Sequence, residues 1–279
     1  MKTRKIWLGV GVAVLAGANV SARAGVTAPA TSAASLLRAQ AESSLHLAQH
    51  VQGQGGENET GEGGVDAAAA EKDPVQYGIA LAVIAAHYHA GLAAYEAGET
   101  AAGTEMFAHG FSEVYAEMEE VFKKRGVSDL GAKIEAAIAA ANRKAPAAEV
   151  KGLVEAVFQA LDRAEQAAPK SALSSVAVRA RVLADTLDRA AAQNVLALKK
   201  EATLETYLDG VGFALAAAAQ ARSLLPEIEK ADPAVAEVLR KALALAQRTY
   251  PGIKRRDVTE PAPLLAAASL SRIAASKLR

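Results

Sequence analysis

Apolar residues recur every three or four positions along almost the whole chain, and alanine occupies many of these positions. This spacing is typical of amphipathic helices, whereas a half-buried strand alternates between apolar and polar residues. No alternating β-branched run bounded by hairpin turns is present. The sequence therefore predicts an all-α protein, either an up-and-down multi-helix bundle or two stacked bundles.

Proline, glycine and capping residues set the predicted helix ends. Pro74 suits the first turn of a central helix, and Gly98 marks a tight turn after it. The predicted helices cover 32–51, 74–97, 100–125, 129–145, 146–168, 171–225, 233–248 and 261–278. The stretch at 171–225 is predicted to have a break near 193. If there are two sub-bundles, they cover 31–168 and 171–279.

The first 24 residues have the pattern of a secretory signal peptide. Three basic residues precede an apolar stretch at 6–20, and Ala22-Arg23-Ala24 supplies a small-x-small cleavage site. The prediction is a signal peptide at 1–24 and a helical domain at 25–279, periplasmic or secreted. A retained N-terminal anchor is the alternative. No later segment is predicted to be long and apolar enough to insert stably in a membrane.

Charge and cysteine content exclude some functions. Cleavage after residue 24 would remove four of the 31 basic residues and none of the 31 acidic ones, leaving a net charge of −4. Without a concentrated basic face, nucleic acid is not an expected partner. The chain has no cysteine. Thiolate metal sites and thiol nucleophiles are therefore excluded.

One predicted connection is long. Residues 52–73 contain six glycines and several glutamates in a run that offers little to bury. Such a composition is typical of a flexible acidic loop.

All five histidines lie between His46 and His109. His87 and His109 each stand eleven residues from Gly98, so both would lie about 16 Å from the turn, level across an antiparallel helix pair. Glu113 follows His109 by one helical turn. The sequence therefore predicts that His87, His109 and Glu113 converge on a metal ion.

Further ligands are candidates for the same site. His46 and His50 lie one turn apart on the first predicted helix, and Met106 precedes His109 by three residues. Imidazole and carboxylate ligands suit a divalent transition metal, namely zinc, iron or copper, and a thioether would favour copper. The helix that carries His109 would have to be covered on both faces, by the first predicted helix or by a later helix bearing Glu205 or Asp209.

Each of these residues also has an interpretation without metal. His109 points away from the aromatic face of its helix, so His109 and Glu113 would form an exposed pair. His87 would be a core histidine with a hydrogen-bond partner, and His46 and His50 would be exposed. The row that contains Glu205 and Asp209 would be an ordinary acidic helix face.

Several motifs resemble an uncharacterised group of exported helical bacterial proteins. That group has a Gly/Glu-rich loop, a Gly-His-Leu helix, a His-Pro-x-x-Glu-x-Tyr helix and a Glu-Tyr-x-Asp-x-x-Gly-Phe segment. The corresponding stretches here are the loop at 52–73, Ala86-His87, His109-Gly110-Phe111-Ser112-Glu113-Val114-Tyr115 and Glu205-Thr206-Tyr207-Leu208-Asp209-Gly210-Val211-Gly212-Phe213. The resemblance implies a shared helical fold and export. The chain is also similar in style to imelysin-like periplasmic iron-uptake proteins, although it has no His-x-x-Glu.

Three classes of function follow from these patterns. The first is an exported protein that binds a transition metal through histidine and carboxylate side chains. The second is a helical scaffold that binds a protein partner without metal or catalysis. The third is an enzyme, for which a carboxylate-histidine metal centre is the only chemistry that the sequence offers.

Overall fold

Nine helices make up the regular secondary structure in the part of the chain that the structure, a computed structural model, describes. The described residues are 64–199, 202–254 and 260–279, all within one compact unit, Gln40–Arg279. The helices are α1 (Ala67–Ala70), α2 (Pro74–Glu96), α3 (the consecutive segments Thr100–His109, Gly110–Tyr115 and Ala116–Lys124), α4 (Leu130–Asn142), α5 (Ala147–Gln166), α6 (Ser175–Leu196), α7 (Leu204–Ala231), α8 (Pro233–Thr249) and α9 (Ala262–Ala275). The all-α prediction is confirmed.

Helix α2 is the centre of the bundle. It is apolar or small on every face, and its neighbours α3, α5, α6 and α7 come from both halves of the chain. A helix that is apolar all round must be surrounded by other helices. The main core is one continuous cluster that includes residues from α1 to α9. The described helices therefore share one core, and the division into sub-bundles at 31–168 and 171–279 stays a prediction.

The expectation that no later segment is long and apolar enough to cross a membrane is also wrong. By length and composition alone, the 23 residues of α2 pass that test. Within the bundle, 72% of its most apolar window is buried. The apolar side chains that give α2 this composition also pack it against its four neighbouring helices.

The predicted N-terminal ends of two helices are confirmed in detail. Asp73 accepts a hydrogen bond from the Val75 amide at 2.7 Å, and Pro74 follows it in the first turn. Asp232 accepts bonds from the amides at 234 and 235, again followed by proline. Both aspartates satisfy amides that have no partner within the helix.

The prediction for 171–225 is wrong at both ends. Helix α6 begins at Ser175 because the Ser174 hydroxyl accepts a bond from the Ala177 amide. Helix α7 continues through Pro226 to Ala231. Proline costs one backbone hydrogen bond there, but the buried Ile228 packs the final turn into the core and offsets that cost.

The end of the predicted flexible loop is ordered. Asp66 accepts a hydrogen bond from the Ala69 amide at the start of α1, and Val65 and Ala70 are buried. A capping aspartate before four alanines favours a helical turn, which the glycine-based prediction overlooked. The rest of that loop, the predicted helix at 32–51 and the predicted signal peptide lie outside the described residues.

Helix α3 is not a regular α-helix. Its middle segment, Gly110–Tyr115, is π-helical and directly follows His109. A π-helical turn contains more residues than an α-helical one, and such insertions are frequent at functional sites. The set of helix positions that points to the core is therefore rotated after this segment relative to the set before it. Glu113 lies inside this segment.

Candidate metal centre

His87, His109 and Glu113 come together between α2 and α3. Their ligand atoms, one from each residue, all lie within 4.8 Å of one another. The two imidazole rings stand 6.3 Å apart, centroid to centroid, and nearly perpendicular, at 82°. A single ion with bonds of about 2.0–2.2 Å could contact all three after small side-chain rotations. The cluster could thus hold a metal ion.

The backbone fixes the orientation of His87. Its Nδ1 lies 3.0 Å from the carbonyl oxygen of Val83, one turn earlier on α2. Because a carbonyl oxygen can only accept, Nδ1 carries the proton and donates it. Nε2 therefore carries the free lone pair when the ring is neutral. This is how the ligand tautomer of a metal-binding histidine is usually set.

Glu113 bridges the two histidines. One of its carboxylate oxygens lies 3.5 Å from His87 Nε2, and the other lies 3.6 Å from His109 Nδ1. The hydrogen bond with His87 lowers the pKa of the Glu113 carboxyl, although burial acts in the opposite direction. Glu113 is thus held as a carboxylate, the form that binds a cation.

Asp209 adds a second carboxylate from α7. Its Oδ1 lies 3.8 Å from His87 Nε2. Burial raises the pKa of Asp209 to about 6, His87 opposes that shift and Glu113 adds to it. Two carboxylates beside one imidazole repel each other unless a cation lies between them.

Two glycines allow the three helices to approach this closely. A Cβ at Gly110 would lie 3.1 Å from the Cβ of His87, and a Cβ at Gly212 would lie 2.3 Å from the carbonyl oxygen of Ala86. Gly110 therefore lets α3 approach α2 at His87. Gly212 does the same for α7, which places Asp209 over the site.

A second pair of carboxyl groups lies beside the first. Glu105 stands one turn before His109 on α3, and Glu205 stands one turn before Asp209 on α7. A hydrogen bond with Glu105 raises the pKa of Glu205, and burial adds to the shift. The acidic row on α7 is therefore not an ordinary solvated face, because it meets α3.

The site is open to solvent on one side. The His87 side chain is 6% exposed, whereas His109 is 29% exposed and Glu113 21%. A metal ion could therefore reach the cluster past His109, and His87 would lie at its inner end.

The remaining predicted ligands lie elsewhere or outside the described residues. Met106 is fully buried in a small cluster with Ala90, Ala94 and Leu208, which gives it a packing role. Its prediction as a ligand, and the preference for copper that depends on it, stays a prediction. His46 and His50 lie outside the described residues.

Sequence reasoning placed too little weight on Asp209. The signal was present, because Asp209 is followed directly by Gly210-Val211-Gly212. Glycines in a helix interior cost stability, so their presence beside a carboxylate indicates close packing at that point. Only the structure shows that Gly212 makes this close contact with α2, whereas Gly210 makes room for the Tyr250 ring.

Comparison of the chain with protein-family models, with curated proteins and with solved structures finds no match. The resemblance to the exported helical group therefore stays a prediction.

Proposed function

We propose that this is an exported helical protein that binds one divalent transition-metal ion through His87, His109, Glu113 and Asp209. One observation carries the proposal. The Nε2 lone pair of His87 faces two carboxylates from different helices, while its Nδ1 proton is committed to the Val83 carbonyl. A cation between these groups, either a second proton on the ring or a metal ion, would relieve the repulsion between the two carboxylates.

The donor set narrows the choice of metal. Two imidazole nitrogens with one or two carboxylate oxygens suit Zn²⁺, and the same set with open positions suits Fe²⁺. Cu²⁺ is the third candidate, since imidazole also binds it well. The partly exposed side at His109 leaves room for water or an exchangeable ligand, which fits uptake, storage or delivery of the metal.

Calorimetric titration of the purified mature protein with Zn²⁺, Fe²⁺ and Cu²⁺ tests the proposal. We expect one ion per chain for at least one metal. The His87→Ala, His109→Ala double variant should lose at least about 100-fold in affinity, more than removal of an outer partner of a ligand costs. Unchanged affinity in the double variant would refute the site and favour the alternative, a helical scaffold without metal.

A matched pair of variants separates ligand loss from general charge loss. Glu113→Gln should weaken binding at least about tenfold. Glu117→Gln removes the same charge from an exposed position one turn later on α3, and we expect no change in affinity. Equal effects of the two variants would indicate nonspecific attraction to an acidic surface.

Export is tested separately. The basic start, the apolar stretch at 6–20 and the Ala22-Arg23-Ala24 site support cleavage before Gly25. N-terminal sequencing of exported protein should begin at or near Gly25. Recovery of intact Met1 in a membrane fraction would instead support the retained anchor.

A further inference from the structure

A cavity of about 800 Å³ lies between α2, α5, α6 and α7, away from the metal-site residues. It is lined on α2 by residues from Pro74 to His89, which corresponds to about 22 Å of helix. Its volume is within the range of small-molecule sites, about 300–1,000 Å³. We call it the His89 cavity.

The His89 cavity exists because the residues that face each other across it are small. Ala82 and Ala85 line it from α2, and Ala216 and Ala219 line it from α7. Four alanines leave space that leucines would fill. Larger apolar side chains, Leu81, Phe158, Leu161 and Val178 among them, complete the wall. The interior is therefore suited to an apolar group.

His89 provides a polar group inside this wall. Its ring stacks on Phe158, with ring centroids 4.3 Å apart. His89 and Arg222 both line the cavity.

The charged side chains that line the His89 cavity without an ion-pair partner are mainly positive. Arg222 and Lys170 line the cavity, and within the described ranges neither forms an ion pair with a carboxylate. Arg179, in contrast, pairs with Glu165 at 3.4 Å and with Glu227 at 3.3 Å. Asp162 is the one acidic lining residue outside these pairs. Two free cations against one free carboxylate favour an anionic ligand group.

We infer that the His89 cavity binds a small amphipathic carboxylate, with its apolar body against the alanines and its carboxylate at Arg222. Arginine binds carboxylates through two parallel hydrogen bonds, which lysine does not offer. The apolar wall supplies affinity by burial, and the arginine supplies orientation. This inference does not depend on the metal site, because no proposed ligand lines the cavity.

Calorimetric titration with decanoate, with EDTA present, tests the inference. We expect one decanoate per chain, bound at least tenfold more tightly than decanol or decyltrimethylammonium. Arg222→Ala should reduce decanoate affinity at least tenfold and leave decanol binding unchanged. Arg248→Ala is the control, because Arg248 is exposed on α8 and does not line the cavity. Equal binding of decanoate and decanol would overturn the inference.

A second pair of variants tests the location. Ala85→Phe fills the cavity and should abolish decanoate binding, whereas Ala148→Phe adds the same ring at an exposed position on α5 and should not. If circular dichroism shows that Ala85→Phe does not fold, Ala219→Leu fills less space from the opposite wall. Full decanoate binding by a folded filled variant would also overturn the inference. The His87→Ala, His109→Ala variant should bind decanoate normally, so failure of the metal site is a separate result.

Discussion

His87 and His89 lie two residues apart on α2, yet they have opposite surroundings. His87 faces carboxylates from α3 and α7 at 3.5 and 3.8 Å. His89 stacks on Phe158, beside an apolar cavity with an arginine at its rim. Two residues correspond to about 200° around a helix, so the side chains point to different neighbours. The same residue type therefore lies in two different chemical environments.

The two sides of α2 also differ in how closely other helices pack. On the His87 side, Gly110 and Gly212 bring the backbones of α3 and α7 against α2. On the His89 side, small alanine side chains leave space between the helices. Close backbone approach holds side chains in fixed positions, whereas small side chains around an open space create a cavity. Substitutions on the two sides of α2 should therefore differ in their effects on metal affinity and on stability.

The same substitution at the two histidines should have very different effects on metal affinity. His87→Gln removes a ligand nitrogen, and we expect Zn²⁺ affinity to fall by at least about 100-fold. His89→Gln should leave it within about twofold, because His89 faces the cavity. Calorimetric titration measures both. Comparable losses in the two variants would mean that the contrast between the two sides is wrong.

Replacement of a glycine by alanine should destabilise the protein more on the His87 side of α2 than on the His89 side. In Gly212→Ala the new Cβ meets a backbone oxygen, so α7 must shift, and we expect a loss of about 1–3 kcal/mol in the free energy of unfolding. In Gly78→Ala the new Cβ meets the Val182 side chain at 2.7 Å, which can move more readily. We expect a smaller loss there. Urea unfolding of the metal-free variants measures both, and a larger loss in Gly78→Ala would contradict the comparison.

The Zn²⁺ affinity of the Gly212→Ala variant is an independent test of the shift of α7. The shift of α7 should move Asp209 away from His87, so Zn²⁺ affinity should fall as well. Gly78→Ala should bind Zn²⁺ as the unaltered protein does. A destabilised Gly212→Ala variant with full Zn²⁺ affinity would show that Asp209 is not a ligand.

The lowered pKa of the half-buried His89 predicts a pH dependence of stability. Its pKa is lowered from 6.5 to about 4, so between these values the unfolded chain binds a proton that the folded protein does not. The contribution is therefore fully present above about pH 6.5 and is lost as the pH falls towards 4, by about 1–3 kcal/mol.

Urea unfolding of metal-free protein from pH 7 to pH 4 measures this contribution. The His89→Gln variant should lose less stability over that interval than the unaltered protein, because glutamine does not titrate. Arg248→Ala, with an exposed change, should follow the unaltered protein. Parallel curves for His89→Gln and the unaltered protein would show that the pKa of His89 is not lowered in the folded protein.

The smallest expected effect is an increase in the free energy of unfolding. Gly152 lies on the exposed face of α5, and a Cβ there would meet no atom within 4 Å. Gly152→Ala should therefore raise the free energy of unfolding by about 0.5–1 kcal/mol through helix propensity alone. This value is the reference from which the packing costs of Gly212→Ala and Gly78→Ala are measured. A loss at Gly152 would indicate a contact that the structure does not contain.

Much of the hairpin between α2 and α3 was predictable because its signals are local. Asp73, Pro74 and Gly98 set the helix ends through capping and turn chemistry, which depends only on neighbouring residues. Because a helix rises by a constant distance per residue, these ends place His87 and His109 at the same distance from the turn, opposite each other across the hairpin. Glu113 then follows by helical spacing, so three members of the site could be proposed together.

The prediction that His109 points to solvent was incomplete because it assumed a regular helix. A π-helical segment begins at the next residue, Gly110, and changes the phase of everything after it. No local rule signals such a segment, since its cost is offset by contacts with other helices. The same holds for α7, which continues through Pro226 because a buried residue two positions later packs against the core.

The helical class, the order of the helices and the register of the α2–α3 hairpin follow from the sequence. These depend on periodicity and capping, which act over a few residues. The tertiary structure alone decided that Asp209 joins His87 across more than 120 residues of chain, and that His89 faces a cavity instead of carboxylates. Such outcomes depend on which helices pack against which face of α2, and packing is set by the fit of whole surfaces.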